Sequence, residues 1–566
     1  MRTGALHRGV RALIALTGPA LAFCAGDVKN AERLDAPEHR ANVPDHELRQ
    51  TLESALKHNP PEYPGARENW KALRAFYAGR SYQPVWVSPR GTRPGVRTLL
   101  AAICDAEAEG LRPSDYRPEQ LERALSAIEA APGDPAALAN AETLFSLAFA
   151  RYGLHLATGR VPPQKTGWWT ARRELDAAKA LSLLAEGDVK KALSALQPKH
   201  EQYAKLKRVL QEVRAVQASG GWPDVPRGET IAPGARSERV RAVRERLRAT
   251  GELRGNASAD PTFYDPALVE AVKRFQERHG LEPDGRIGSA TVAALRASPA
   301  ERIAQLEANL ERWRWLPDDL GERHVLVNIP TFDLQAFERG RRVTRMRVVA
   351  GLPDWPTPVF TARMEGVEFH PPWWVPRKIL AEEIVPKLRA DPKYAASVGL
   401  RLISKEDGTE IDPATVDWNA VDPSQELPFR FIQPSGEDNP LRHVRFTMPN
   451  RYVVFLHDTP EQWWFERTER AFSHGCVRVE KPEELTEFVL RGTEGWSIDA
   501  VKDTFRSGAR RSVKAVDPPR VHLVYFTASV EDDGTVRFSK DIYGRDAVMK
   551  RLLSNTEEDR QALRCG

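Results

Sequence analysis

At Val325 the apolar residues of this chain stop recurring every three or four positions and begin to alternate. That change of period limits the fold: helices before it, strands after it. Upstream, Leu99, Leu100 and Ile103 are spaced for one helix face, and so are Leu144, Leu147, Ala148 and Tyr152. Downstream, Val325, Val327 and Ile329 alternate with Leu326 and Asn328, and 343–349 alternates again. Helices and strands kept apart over 566 residues predict an α+β chain of three or four domains.

The boundaries follow from composition. The Gly/Pro-rich stretch from Ser219-Gly220-Gly221 to Pro233-Gly234 reads as a linker. Before it lies a helical domain, 40–225, without evident chemistry. After it, Val240, Val243 and Leu247, then Val269, Val272 and Phe275, then Thr291 outline a small three-helix unit at 236–297. Asp284-Gly285 makes a turn inside it. Ile303, Leu306, Leu310 and Trp313 share one face of a connecting helix at 301–314. A mostly β domain then spans 322–512. Its insertion at about 376–440 starts helical (Ile379, Ile384, Leu388) and continues loop-like. An insertion that long in a compact domain is usually functional. Pro482 and Gly492 bracket a helix, so 476–479 is the strand or strand end before it. Residues 513–566 read as a C-terminal extension.

Charge excludes one class of partner. Eighty-three basic and 78 acidic side chains nearly balance, and no basic run is interleaved with aromatics, so no nucleic-acid surface is expected. Residues 1–25 read as an export signal: Arg2, Arg8 and Arg11, a short apolar run, then Ala20-Leu21-Ala22. The run is shorter than the roughly 20 apolar residues a spanning helix needs. An uncleaved membrane anchor is the alternative. Phe23 is too large for a lipoprotein box at Cys24. Cleavage would leave Cys104, Cys476 and Cys565, an odd number, and hence at least one thiol in an oxidising compartment. Cys476 is the candidate, and a Cys104–Cys565 disulfide stays open.

Cys476 stands in Ser473-His474-Gly475-Cys476-Val477-Arg478, nineteen positions after His457. A thiol of ordinary pKa about 8.5 needs a base to become a nucleophile, and an imidazole within hydrogen-bond reach supplies one. Gly475 permits a tight turn beside the sulfur, where amides could face a substrate oxygen. Trp463 and Trp464 lie between base and nucleophile. On residue types alone, a buried structural cysteine is the plain alternative. A zinc site built from His457, Asp458, His474 and Cys476 lacks the close ligand pairs such sites use. Ser54-x-x-Lys57 with Lys165-Thr166-Gly167 imitates a penicillin-binding serine enzyme, but Ser-x-Asn is missing between them.

The whole pattern resembles the L,D-transpeptidase (YkuD-like) family. His457, then Ser473-His474-Gly475-Cys476-Val477-Arg478, occupies the family signature in order; Val479 and Glu480 stand where an Asn sometimes follows. Val325–Pro330, Met346–Gly351, Thr357-Pro358, Trp374-Val375-Pro376 and Leu456–Pro460 resemble its large periplasmic multi-domain branch, and Phe76-Tyr77, Tyr82–Trp86 and Gly110–Tyr116 its scaffold domain. The 236–297 unit resembles a peptidoglycan-binding type 1 domain, with a spacer that binds nothing as the alternative.

The resemblance implies a β catalytic domain whose insertion is a lid, and a cofactor-free reaction. Cys476 would be the nucleophile, His457 the general base and acid, His474 a supporting residue, and the Gly475 backbone an oxyanion donor. Ser473, Arg478, Trp463 and Trp464 would touch substrate. Cys476 would take a stem tetrapeptide, release D-alanine and form a 3→3 cross-link with a second stem peptide, and carbapenems would acylate it. Peptidoglycan synthases or carboxypeptidases are the expected protein partners, in the periplasm. A stem-peptide hydrolase on the same fold and a non-catalytic wall-binding protein are the competing readings.

Overall fold

A computed structural model describes residues 43–170, 173–255 and 259–554. The export signal, Cys24 and Cys565 lie outside the described residues. Among those described, four apolar cores form: one in the helical N-terminal part, one in the small helical unit, one in the β domain and one in its insertion.

The N-terminal core is built around Pro135–Thr158. The Asp134 side chain accepts the Ala136 and Ala137 N–H groups and starts this helix, and Pro135 occupies its first turn. Both predicted helical faces are found. Leu99 and Ile103 are buried on Gly95–Cys104, and Leu144, Leu147, Ala148 and Tyr152 on the central helix.

The small unit consists of Glu238–Ala249, Pro266–Arg278 and Ser289–Leu295. Its turn is fastened from within. The Gln276 amide donates to Asp284 Oδ1 (2.8 Å) and accepts the Gly285 N–H (2.9 Å). Part of the linker belongs to this unit, because Val225 and Ile231 are buried in its core and Ile231 bridges Ile287.

Pro299–Trp315 joins the parts. Ser298 and Glu301 close a capping box at its start. The predicted apolar face is buried, and so are Asn309, Glu311, Arg312 and Arg314. This helix lies between Glu201–Ala218 and the β domain and is covered on several sides, so the single-stripe pattern of a surface helix understates its burial.

The β domain holds a twelve-stranded sheet among the described residues. The predicted alternation from Val325 resolves into two strands, Arg323–Asn328 and Asp333–Glu338, joined by a short turn. From Val444–Thr447 the order runs through Leu456–His457, Val477–Val479, Arg341–Gly351, Asp333–Glu338 and Arg323–Asn328 to Arg520–Val524. Two expectations are corrected here. The described part of the C-terminal extension, 513–554, is not an appendage: Arg520–Val524 inserts between Arg323–Asn328 and Val359–Arg363, with Val521 and Leu523 fully buried. The insertion is not loop-like past its first helices either. Trp373–Trp374, Arg401–Ser404, Glu410–Ile411 and Phe429–Gln433 form a separate four-stranded sheet over their own core. The sheet also crosses the domain boundary, because Trp168–Trp169 of the helical part pairs with Val359–Phe360. No described helix is long and apolar enough to cross a membrane.

Candidate active site

Leu456–His457 runs parallel to Val477–Val479, with Leu456 opposite Val477 and His457 opposite Arg478. Successive strand residues face opposite sides. Leu456, Val477 and Val479 are fully buried on the core side. The other side receives His457 and Arg478, and one step back in the same alternation Cys476, diagonal to His457. Eighteen residues of intervening chain leave and return between His457 and Cys476.

The turn before Cys476 is held at several points. Gly475 has φ +104°, and an added Cβ would meet nothing nearer than 3.7 Å, so glycine is required by the backbone rather than by space. Its carbonyl accepts a hydrogen bond from Thr357 Oγ1 at 2.9 Å. Thr357 Oγ1 also accepts the Gly351 N–H at 2.9 Å, while the Thr357 N–H reaches the Tyr543 hydroxyl, which donates to Gly351 O at 2.6 Å. Tyr543, from the segment read as an extension, thus braces the turn before Cys476.

Ser473 is 2 % exposed, and its hydroxyl is used inside the turn: it accepts the Gly475 N–H at 3.1 Å and donates to Cys476 O at 2.5 Å. The Gly475 amide expected to face an oxyanion is therefore committed to Ser473. The Cys476 N–H makes no hydrogen bond to a described residue.

His457 is 4 % exposed. Its Nδ1–H donates to Asp458 O at 2.5 Å, which leaves the Nε2 lone pair as the basic position. The Asp458 carboxylate is fixed by the Thr459 N–H (2.7 Å) and by His443 Nδ1 (2.9 Å). Contact with Asp458 raises the His443 imidazole above its usual range. Arg478 donates to Glu461 Oε2 at 2.6 Å and Thr459 Oγ1 at 3.1 Å, and its guanidinium lies 4.2 Å from the Trp464 ring centroid.

These surroundings set the charge state. Burial, and then the Arg478 cation, lower His457 to about 4. Burial pushes the Cys476 thiol up, with the Phe455 backbone, Arg478 and Arg445 pulling the other way. The resting pair at neutral pH is a thiol beside a neutral imidazole, not a thiolate–imidazolium ion pair. Alkylation of Cys476 by iodoacetamide is accordingly expected to keep accelerating above pH 9. A rate that levels off below pH 7 would show a preformed ion pair.

The insertion reaches this turn. Glu383 contacts His474 Nε2 with its carboxylate. Trp355 meets the His474 ring edge-on at 4.7 Å, and Lys378 Nζ lies 3.7 Å above Trp355. Of the predicted aromatics, Trp463 is 53 % exposed and Trp464 is half-buried against Arg478 and Phe472. Their loop touches the small helical unit where Thr468 donates to Glu282. Glu383, Lys378, Trp355, His443 and Tyr543 had no signal in sequence reasoning, since each acts on the site from a distant or unmotivated position; Asp458 carried one beside His457, and Thr357 one only through its Thr-Pro resemblance. Among the described residues no three His, Cys, Asp or Glu side chains converge as a metal cluster.

Comparison with known proteins adds three matches. Residues 322–500 match the family model described as "L,D-transpeptidase catalytic domain", 71–210 that described as "Scaffold domain", and 236–295 that described as "Putative peptidoglycan binding domain". A Haemophilus influenzae protein named "Putative L,D-transpeptidase" is 34 % identical over 242 residues, 43 % of this chain and 48 % of that protein. The chain thus spans about half the length of the curated relative it matches. Among solved structures, an L,D-transpeptidase from Xylanimonas cellulosilytica is 16 % identical, covers 53 % of this chain and 99 % of its own, and has a TM-score of 0.17. One from Enterococcus faecium is 11 % identical over 36 % of this chain and 50 % of its own, with a TM-score of 0.16. Likenesses at such scores carry no weight.

Proposed function

With residues 322–500 an L,D-transpeptidase catalytic domain, we propose that this protein is a cysteine L,D-transpeptidase of the cell wall. What supports the proposal is the parallel pairing of Leu456–His457 with Val477–Val479, an alternation that, carried one residue back, sets Cys476 on the His457 face, with the Cys476 amide uncommitted. Peptidoglycan is the substrate that a peptidoglycan-binding domain in the same chain supports.

The donor is a stem tetrapeptide, attacked at the carbonyl between its diamino acid and its terminal D-alanine. As Cys476 Sγ attacks, its proton passes to His457 Nε2. The Cys476 N–H faces the oxyanion. His457 then returns that proton to the departing D-alanine amine, and a thioester remains. A side-chain amine of a second stem peptide displaces the sulfur and forms the 3→3 link. One amide replaces another, so no cofactor or energy source is required. The neutral resting pair suits this order of events, because the proton moves only as the carbon–sulfur bond forms.

Arg478 is proposed to fix the loop, since its Nη1 donates to both Glu461 and Thr459. Trp463, exposed beside that loop, is the aromatic left to meet substrate. The export signal at 1–25 would deliver the enzyme to the periplasm.

The competing reading is hydrolysis, with water resolving the thioester. A closed insertion opposes it, because transfer to an amine requires water to be kept out. Incubation with purified disaccharide-tetrapeptides separates the two. Both release D-alanine on acylation; transfer then yields 3→3 dimers, whereas hydrolysis yields tripeptides and no dimer. Neither product from the wild type would leave a wall-binding protein.

A further inference from the structure

Two histidines flank the nucleophile, and they are built oppositely. His457 is buried, bonded through Nδ1 to a neutral carbonyl, and close to the Arg478 cation. His474 is half-buried, and its Nε2 lies against the Glu383 carboxylate. That contact fixes the tautomer: Nε2 carries the proton, and Nδ1 keeps the lone pair. Nδ1 makes no hydrogen bond to a described residue. A carboxylate on one imidazole nitrogen and a lone pair on the other is the arrangement that orients a general base and stabilises its protonated form.

Glu383 comes from the insertion. It stands on Leu380–Ile384, a π-helical turn flanked by α-helical residues on both sides. Wide turns of this kind inside α-helices are frequent at functional sites. Lys378 over Trp355 is a second contact from the same segment, on the residue that meets the His474 ring. The carboxylate is therefore in place only when the insertion is seated on the turn.

The second half-reaction has an unmet need. An acceptor amine is an ammonium at neutral pH and has no lone pair until it loses a proton. The ammonium must shed two protons to become an amide; His457, neutral again once D-alanine has left, carries one of them to the sulfur and leaves the other without an acceptor.

We infer that His474, held by Glu383 of the insertion, is the base that deprotonates the acceptor ammonium. This rests on the transpeptidase reading above. The ammonium loses its first proton to His474 Nδ1, from which it passes to solvent. The amine nitrogen attacks the thioester carbonyl, and the carbon–sulfur bond breaks. The second nitrogen proton travels through His457 to the departing Cys476 sulfur. The products are an amide, a neutral thiol and one released proton. Seating of the insertion then does two things at once: it excludes water and completes the base that favours an amine.

The test separates the half-reactions in the full chain. Acyl-enzyme formation from a disaccharide-tetrapeptide is read by intact mass. Its resolution is followed with two nucleophiles: a stem-tripeptide amine, charged at neutral pH, and hydroxylamine, which is neutral there. In Glu383→Gln and His474→Asn, the two resolution rates are compared on the acyl-enzyme that each variant forms, with hydroxylamine as the internal reference. Resolution by the tripeptide amine is expected to fall by about 10²–10⁴-fold in His474→Asn, the usual contribution of a general base, and less in Glu383→Gln. Equal losses with both nucleophiles would overturn the inference and make the pair a latch only. Unchanged amine resolution would overturn it as well. A wild type that never forms the acyl-enzyme overturns both this inference and the reading beneath it.

Discussion

Replacing His457 by alanine is expected to slow acyl-enzyme formation by about 10²–10⁴-fold, the range that a positioned general base supplies. Burial raises the Cys476 thiol, so without an imidazole the sulfur has no local acceptor for its proton. The D-alanine amine also loses its proton donor, and an unprotonated amide nitrogen is a poor leaving group. His457→Gln serves as the control for packing, since it fills most of the volume and can still donate to Asp458 O. Both variants are expected to fail alike in single-turnover acylation followed by intact mass. Acylation of either at the wild-type rate would remove His457 from the chemistry.

The largest expected loss of stability is far from the site, at Glu311. This residue lies on Pro299–Trp315 and is 1 % exposed. One carboxylate oxygen accepts the Arg160 N–H and, at 2.7 Å, the Val161 N–H. The other pairs with Arg314 Nη1 at 2.9 Å. Arg314 is fully buried and also donates to Glu109 O and the Tyr203 hydroxyl. Glu311→Ala leaves a buried cation short of its counter-charge and two amides unpaired. Breaking a buried pair from one side costs about 3–5 kcal/mol. Urea denaturation is expected to show a loss of that size, with Glu311→Gln losing less because it can still accept from both amides. A loss below about 1 kcal/mol, the worth of an exposed pair, would assign the junction to apolar packing. Trp313 on Phe526 and Trp315 on Trp168 would then hold it alone.

Much of this was legible in the sequence, and the reasons are local. Alternation at Val325 and the Pro482–Gly492 bracket report short-range periods and helix ends, so strand and helix appear where those signals stand. Cys476 and His457 could be singled out as candidates because both sit in one compact pattern. What the sequence hid is pairing at long range. Nothing in Thr357 announces Tyr543, 186 positions away. Nothing in Glu383 announces His474, 91 positions away. Arg520–Val524 has the composition of a buried strand, but a short apolar run gives neither its partners nor its place in the middle of a sheet. The strands of the insertion were missed because each is two to five residues long, too short for a period to show. Ser473 and the Gly475 amide misled in another way. Their residue types suit substrate contact, yet the turn needs them first, and only coordinates show a donor already committed.

The central claim is that Cys476 is an acylable nucleophile served by this fold. Intact-protein mass after incubation with a carbapenem, on the wild type and on Cys476→Ala, tests it most directly. The account predicts a single drug adduct on the wild type and none on the variant. An unmodified wild type with its fold intact, or an adduct of equal yield on both proteins, would contradict it.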